Sequence, residues 1–137
     1  TSWLAHVKSY TSMMKERFAL NSSSQVIEIA SNDGCLLRNF IEYKVPVIGV
    51  DPTINTALYA EKRNGVETII DFFSTSFANE QFVSKNKFAD LIIGNNRSWE
   101  HGFNSGMLAG MRYVLSMAVY GKEDAEENSR PTRRVWR

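Results

Sequence analysis

The chain has 137 residues, a formal net charge of +1, 43% hydrophobic and 23% charged residues, and one cysteine, Cys35. That length allows one domain with its own core and is small for a complete doubly wound enzyme. The balance of charge gives no reason to expect nucleic acid or a membrane surface as partner, and one cysteine excludes an internal disulfide and a multi-cysteine zinc site.

No metal site is expected, and the lone cysteine fits a reducing, cytoplasmic setting. The chain opens on Thr1 rather than a methionine, which leaves room for native sequence upstream. The longest apolar stretch, Met107 to Tyr120, contains Arg112 and falls short of the ~20 residues a spanning helix needs.

Trp3, Val7, Tyr10, Met14 and Phe18 recur at helical spacing. They predict a leading amphipathic helix within residues 1–20, ended by Asn21 and the serines Ser22 to Ser24. Its expected place is over one edge of a sheet. The alternative is a lid, with Tyr10 or Met14 against a ligand.

Residues 25–30 predict a first strand with Glu28 in its middle, where a carboxylate is costly unless bonded. Glu28 reads equally as a group that bonds loop amides and as a partner for a ligand ammonium. Ser31, Asn32, Asp33 and Gly34 make a turn, and Gly34 permits a positive φ or a close backbone approach. An amphipathic segment with Leu36, Leu37, Phe40 and Ile41 follows. A second strand, 45–50, then ends in Asp51, whose carboxylate could accept two hydrogen bonds from a ribose diol.

Thr53 reads as an N-cap, and Asn64-Gly65 as a helix stop. Residues 66–70 predict a third strand with Asp71, Phe72 and Phe73 at its tip. A helix over 76–85 turns Phe77 and Phe82 inward, and 89–93 forms a fourth strand ending in Gly94, Asn95 and Asn96.

Beyond Asn96, residues 97–106 read as loop. Met107, Leu108, Met111, Leu115, Ala118 and Val119 make a helical stripe within 104–121, best explained by core or interface packing. Residues 122–137 are acidic and then arginine-rich, which predicts a flexible, solvated tail.

The expected architecture is therefore α/β. Residues 1–121 form one nucleoside-binding domain with a cofactor-binding core at 26–96. The sheet is a partial doubly wound, Rossmann-like parallel sheet in the order third, second, first, fourth strand, with helices on both faces. No clear strand follows the fourth, so its apolar edge is expected to be open. Open edges recruit other chains, which predicts a homodimer through that edge and the Met-rich helix.

The run V-I-E-I-A-S-N-D-G-C-L-L at 26–37, followed by G-V-D-P at 49–52, resembles the cofactor-binding half of S-adenosylmethionine-dependent methyltransferases. More narrowly, it resembles the sugar C-methyltransferases, whose first motif runs close to V-E-I-G-S-N-D-G-x-L-L. The resemblance extends over about Trp3 to Asn96. It implies S-adenosylmethionine as cofactor and methyl transfer to a small molecule, a sugar in the narrower family. By position, it implies that Glu28, Ala30, Ser31, Asn32 and Gly34 line the methionine portion. Asp51 would hold the ribose hydroxyls, Pro52 would border the adenine, Asp71, Phe72 and Phe73 would sit by the adenine ring, and Asn95 would lie near the reactive end.

Ala30 stands where the family has glycine, so the backbone is expected to approach the ligand less closely. The family's upstream zinc module and later strands have no counterpart here, as in a truncated version of the fold. Trp99, Glu100, His101, Gly102 and Phe103 faintly resemble the family's catalytic Tyr-x-Glu-His segment. That match implies catalytic roles for Glu100 and His101, the latter as general base; the alternative is an inert loop histidine.

Two other functions compete. A non-catalytic remnant would serve as a binding or assembly module. An NAD-binding domain would share the strand-loop-helix-strand-Asp layout, but the loop lacks the G-x-G-x-x-G that seats a pyrophosphate.

Overall fold

The computed structural model describes residues 2–94 and the strand at 135–136. The elements in order are α1 (Ser2–Arg17), β1 (Val26–Ile29), α2 (Leu37–Glu42), β2 (Val47–Val50), α3 (Ile54–Asn64), β3 (Thr68–Ile69), α4 (Thr75–Ala78), β4 (Leu91–Gly94) and β5 (Val135–Trp136). A π-helical turn, Asn79–Val83, continues α4.

All strands are parallel, in the order β3-β2-β1-β4-β5. The chain runs from β1 outward to β3 and then crosses back to β4, so the order reverses beside β1. In such sheets a crevice opens there, at the carboxyl ends of the strands. The expected order of the first four strands and the helices on both faces are thus what the chain adopts.

The strands alternate between two cores. Ile27, Ile29, Ile48, Val50 and Ile92 meet Phe73, Phe77, Ala78 and Phe82 on one face. Val26, Leu91 and Ile93 meet Met14 of α1, Leu37 and Phe40 of α2 and Ala60 of α3 on the other. Side chains on a strand point alternately to the two faces, so Glu28, between Ile27 and Ile29, belongs to the second face. Both faces are buried, which explains why the strands read as continuous apolar runs.

Several local expectations meet a different solution. The leading helix does not cover a sheet edge. It lies on a face, with Met14 packed against Val26, Leu91 and Ile93. Its stripe begins only at Val7, and Trp3 is 58% exposed. Thr53 precedes α3 but makes no side-chain cap; Asp51 Oδ1 instead accepts the Thr53 N–H at 2.8 Å. Gly65 does close α3, in the left-handed conformation at φ 67°. Ser74 caps α4 by accepting the Phe77 N–H at 3.1 Å.

The open edge of β4 is corrected by β5. Val135 pairs with Ile92 and Trp136 with Ile93, so backbone groups on the far side of β4 have a partner within the chain. The expected tail thus contributes a strand at 135–136. The expected helix at 104–121 lies outside the described residues, as does the rest of the tail. Among the described residues no helix is long and apolar enough to cross a membrane.

Candidate functional site

The crevice that this strand order places beside β1 is bordered by the β1–α2 loop and the tip of β2. The loop is held on three sides. Ala30 N–H donates to Val50 O at 2.8 Å and Gly34 N–H to Ser31 O at 3.0 Å. Asn32 N–H donates to Asp51 Oδ2 at 2.9 Å. Asp33 Oδ1 accepts the Cys35 N–H at 3.0 Å, and Asp33 O accepts Asn64 Nδ2 at 2.7 Å. Arg38 Nη1 reaches Asn64 Oδ1 at 3.3 Å, completing a tie from the loop to the end of α3.

Two residues in the loop adopt a left-handed backbone without being glycine, Ala30 at φ 57° and Asn32 at φ 54°. Asn tolerates this conformation; alanine does so at a cost. Gly34, at φ 77°, has a second constraint. A Cβ there would lie 2.9 Å from Val66 Cγ2 and 3.2 Å from Ala60 Cβ. The close approach that glycine allows is therefore to α3 and the segment before β3.

Asp51 is 6% exposed, and each carboxylate oxygen accepts a backbone N–H, from Asn32 and from Thr53. An ionised carboxylate has about four acceptor positions, so Asp51 fixes the loop and keeps capacity for a ligand diol.

The floor of the crevice is polar. Glu28 is 1% exposed, and its Oε1 has no hydrogen-bond partner; neither has the buried Ser31 Oγ. Glu28 sits opposite Gly49 in the sheet register. A Cβ on Gly49 would come within 2.9 Å of Ser31 Cβ, so the missing side chain makes room for Ser31 beside Glu28. Burial, then the charges of Asp33 and Asp51, raise the Glu28 carboxyl well above its usual range. Tyr10 of α1, packed against the core on this face, is raised by burial and by Glu28. Burial and Asp33 also push the Cys35 thiol up, against the thiolate character that a nucleophile needs.

The other expected site residues divide. Phe72 is 73% exposed at the tip of β3, and Asp71 accepts its N–H at 2.7 Å. Pro52 is exposed beside Asp51. Phe73 turns the other way. It is 2% exposed, with ring centroids 5.3 Å from Phe77 and 6.4 Å from Phe82, so its ring belongs to the core. Asn95, Glu100 and His101 lie outside the described residues. Among the described residues no group of three His, Cys, Asp or Glu could hold a metal ion.

Sequence reasoning missed Gly49 and the part Asn64 plays in holding the loop. Gly49 carried a signal, a glycine inside a β-branched strand marks a close approach. A cleft of about 650 Å³ lies elsewhere, between α1, α2 and the end of α3, lined by Lys8, Arg38, Glu42 and Arg63 among others. It shares Arg38 and Asn64 with the tie that holds the β1–α2 loop, but it contains neither of the unmatched buried polar atoms, Glu28 Oε1 and Ser31 Oγ, so the polar floor is the better candidate.

Comparison with known proteins agrees with this fold. The chain is similar to a C-methyltransferase, NovU, of Streptomyces niveus, at 34% identity over 93 residues. The match covers 68% of this chain and 22% of that protein. A methyltransferase of Thiobacillus denitrificans, solved with S-adenosyl-L-homocysteine, superposes with a TM-score of 0.56 at 16% identity, over 76% of this chain and 42% of that one. The chain has the fold of the S-adenosylmethionine-dependent methyltransferases. DesVI of Streptomyces venezuelae is similar in the same way, with a TM-score of 0.55 at 11% identity, over 88% of this chain and 47% of that one. No family model matches the chain. It thus spans under half of these relatives' lengths.

Proposed function

We propose that the chain binds S-adenosylmethionine in the crevice beside β1 and serves methyl transfer to a small molecule, with a sugar carbon as the acceptor. One observation carries the reading. Buried beneath the β1–α2 loop are two polar atoms without partners, Glu28 Oε1 and Ser31 Oγ, next to a carboxylate that already shapes that loop. Buried polar atoms left unmatched are costly and call for a partner, and an amino-acid ammonium supplies the donors these two lack.

The residues present fit the cofactor. Glu28 and Ser31 would hold the amino-acid end, Asp51 the ribose hydroxyls, and the exposed Phe72 ring would cover the adenine, with Pro52 and Asp71 at its border. Ala30, Asn32 and Gly34 shape the loop that closes on the methionine portion. S-adenosylmethionine supplies a methyl group on a sulfonium, which an aligned nucleophile can displace. This chain's part is to bind and orient it, and positioning is a large share of such catalysis. Asn95 near the reactive end, with Glu100 and His101 as acid–base groups, complete the proposal.

A second reading is a non-catalytic binding or assembly module. A homodimer belongs to either reading, and its remaining motive is the Met107–Val119 stripe, since β5 pairs with β4. The single cysteine supports a cytoplasmic site of action.

Calorimetry with S-adenosylmethionine, S-adenosylhomocysteine and NAD tests the reading. Both sulfur ligands should bind and NAD should not; binding of NAD alone would overturn it. Asp51→Ala should weaken S-adenosylmethionine by about 1–3 kcal/mol, at least several-fold in Kd. Circular dichroism checks that the variant stays folded despite losing its bonds to Asn32 and Thr53.

A further inference from the structure

The floor of the crevice has an unusual charge arrangement. Glu28 comes from the middle of β1, is 1% exposed, and leaves Oε1 without a hydrogen-bond partner. The charges that act on it are Asp33 from the loop and Asp51 from the tip of β2, both acidic. The other titratable neighbours are Tyr10 of α1, packed against the core on this face, and the thiol of Cys35 in the loop; neither is a cation. Arg38 of α2 is engaged with Asn64, and the β4 neighbour in register is Ile93. A carboxylate in this position would be a buried charge with an unmatched oxygen and two like charges nearby, a combination that burial penalises heavily. The neutral acid removes the charge and gives the group a proton to donate.

We infer that Glu28 carries a proton in the empty crevice and releases it when a ligand ammonium arrives, so that cofactor binding is coupled to proton release. This rests on the proposed S-adenosylmethionine site and adds a regulation to it. The balance is simple. The ammonium keeps its three protons and donates to Glu28 and Ser31, the carboxyl loses one proton to the buffer, and the new positive charge stabilises the anion left behind. Affinity must then rise with pH, by up to about tenfold per unit while the empty site holds its proton. A nucleoside without the amino-acid end cannot drive the exchange.

The test is titration calorimetry of the whole chain at one pH, in two buffers of different ionisation enthalpy. With S-adenosylmethionine the apparent binding heat should differ between buffers by an amount equal to most of one proton. With 5′-methylthioadenosine, which lacks the amino-acid end, it should not differ. Glu28→Gln, close in shape and unable to titrate, should bind S-adenosylmethionine with the same heat in both buffers. Kd by equilibrium dialysis should fall with pH in the native chain and stay flat in the variant. Binding with buffer-independent heat in the native chain would overturn proton coupling and leave the cofactor site standing. Absence of binding in dialysis would overturn both. The 5′-methylthioadenosine arm uses the native chain, so it decides the matter even if the variant fails to fold.

Discussion

The two faces of the sheet are made by alternate residues of the same strands, yet they treat polarity in opposite ways. Under α4, Ile27, Ile29, Ile48, Val50 and Ile92 meet Phe73, Phe77 and Phe82. The rings lie 5.3–6.4 Å apart, within the range of favourable aromatic pairs. On the face under α1, the same strands bring Glu28 and the space over Gly49 into the interior, and the loop sets Ser31 there. A carboxyl buried in the middle of a central strand adds nothing to packing that valine or isoleucine would not. Burial of equal depth on the apolar face therefore serves packing, and at Glu28 and Ser31 it leaves two polar atoms unmatched.

The sharpest separation comes from the apolar face. Phe82 is fully buried and touches both other rings. Phe82→Ala should cost about 3–5 kcal/mol of stability, from lost burial and the cavity left behind. Urea denaturation measures it. The folded variant should bind S-adenosylmethionine with a Kd within about threefold of the native chain, because its contacts lie below the sheet and the site above. A tenfold loss of affinity in a variant that remains folded would join the two faces into one unit.

On the polar face the expected effect is smaller and depends on pH. In the unfolded chain Glu28 ionises near the ordinary carboxyl value of 4.5. In the folded chain burial and two acidic neighbours hold it higher. Between those two values the folded state binds more protons than the unfolded state, so stability falls as pH rises through that window. Below 4.5 both states are protonated and Glu28 adds no slope. The fall is at most about 1.4 kcal/mol per pH unit for one proton. Glu28→Gln removes it, so the unfolding free energy of the native chain minus that of the variant should decline from pH 5 to pH 8. A difference that stays flat would show a carboxyl that titrates as in the free chain, and the contrast between the faces would lose its electrostatic part.

Much of this was legible in the residues. Apolar runs at 26–30 and 45–50, a glycine-bearing turn between them and an acidic strand end specify one parallel unit, and right-handed crossovers then order the first four strands. The Asn64-Gly65 stop was readable because a left-handed residue there has one cheap solution. What was not legible depends on contacts between segments distant in sequence. The tie from Asn64 to Asp33 spans 31 positions. The two-residue β5 has no periodicity to read. Phe72 and Phe73 are adjacent, and the sequence cannot choose which one faces water; the alternation of the chain sends Phe73 inward and leaves Phe72 out.

The smallest effect tests where the polar face stores strain. Ala30 leaves β1 at φ 57°, with its N–H donating to Val50 O at 2.8 Å. That bond and the turn that follows dictate the conformation, and alanine adopts it only against contact between its Cβ and the backbone. For an L-residue the left-handed region costs roughly 1–2 kcal/mol. Glycine escapes that cost and loses roughly 0.5–1 kcal/mol through the greater freedom of its unfolded chain. Ala30→Gly should therefore stabilise the protein by about 0.5–1 kcal/mol, a rise in Tm of a few degrees for a domain of this size. The matching position on the apolar face offers the control. Ile29, one residue earlier, sits in regular strand and is buried, so Ile29→Val should lose about 0.5–1.5 kcal/mol by the loss of one methylene. Thermal unfolding followed by circular dichroism reads both. If Ala30→Gly also lowers Tm, the loop is at ease with alanine, and the cost of the polar face resides in Glu28 and Ser31 alone.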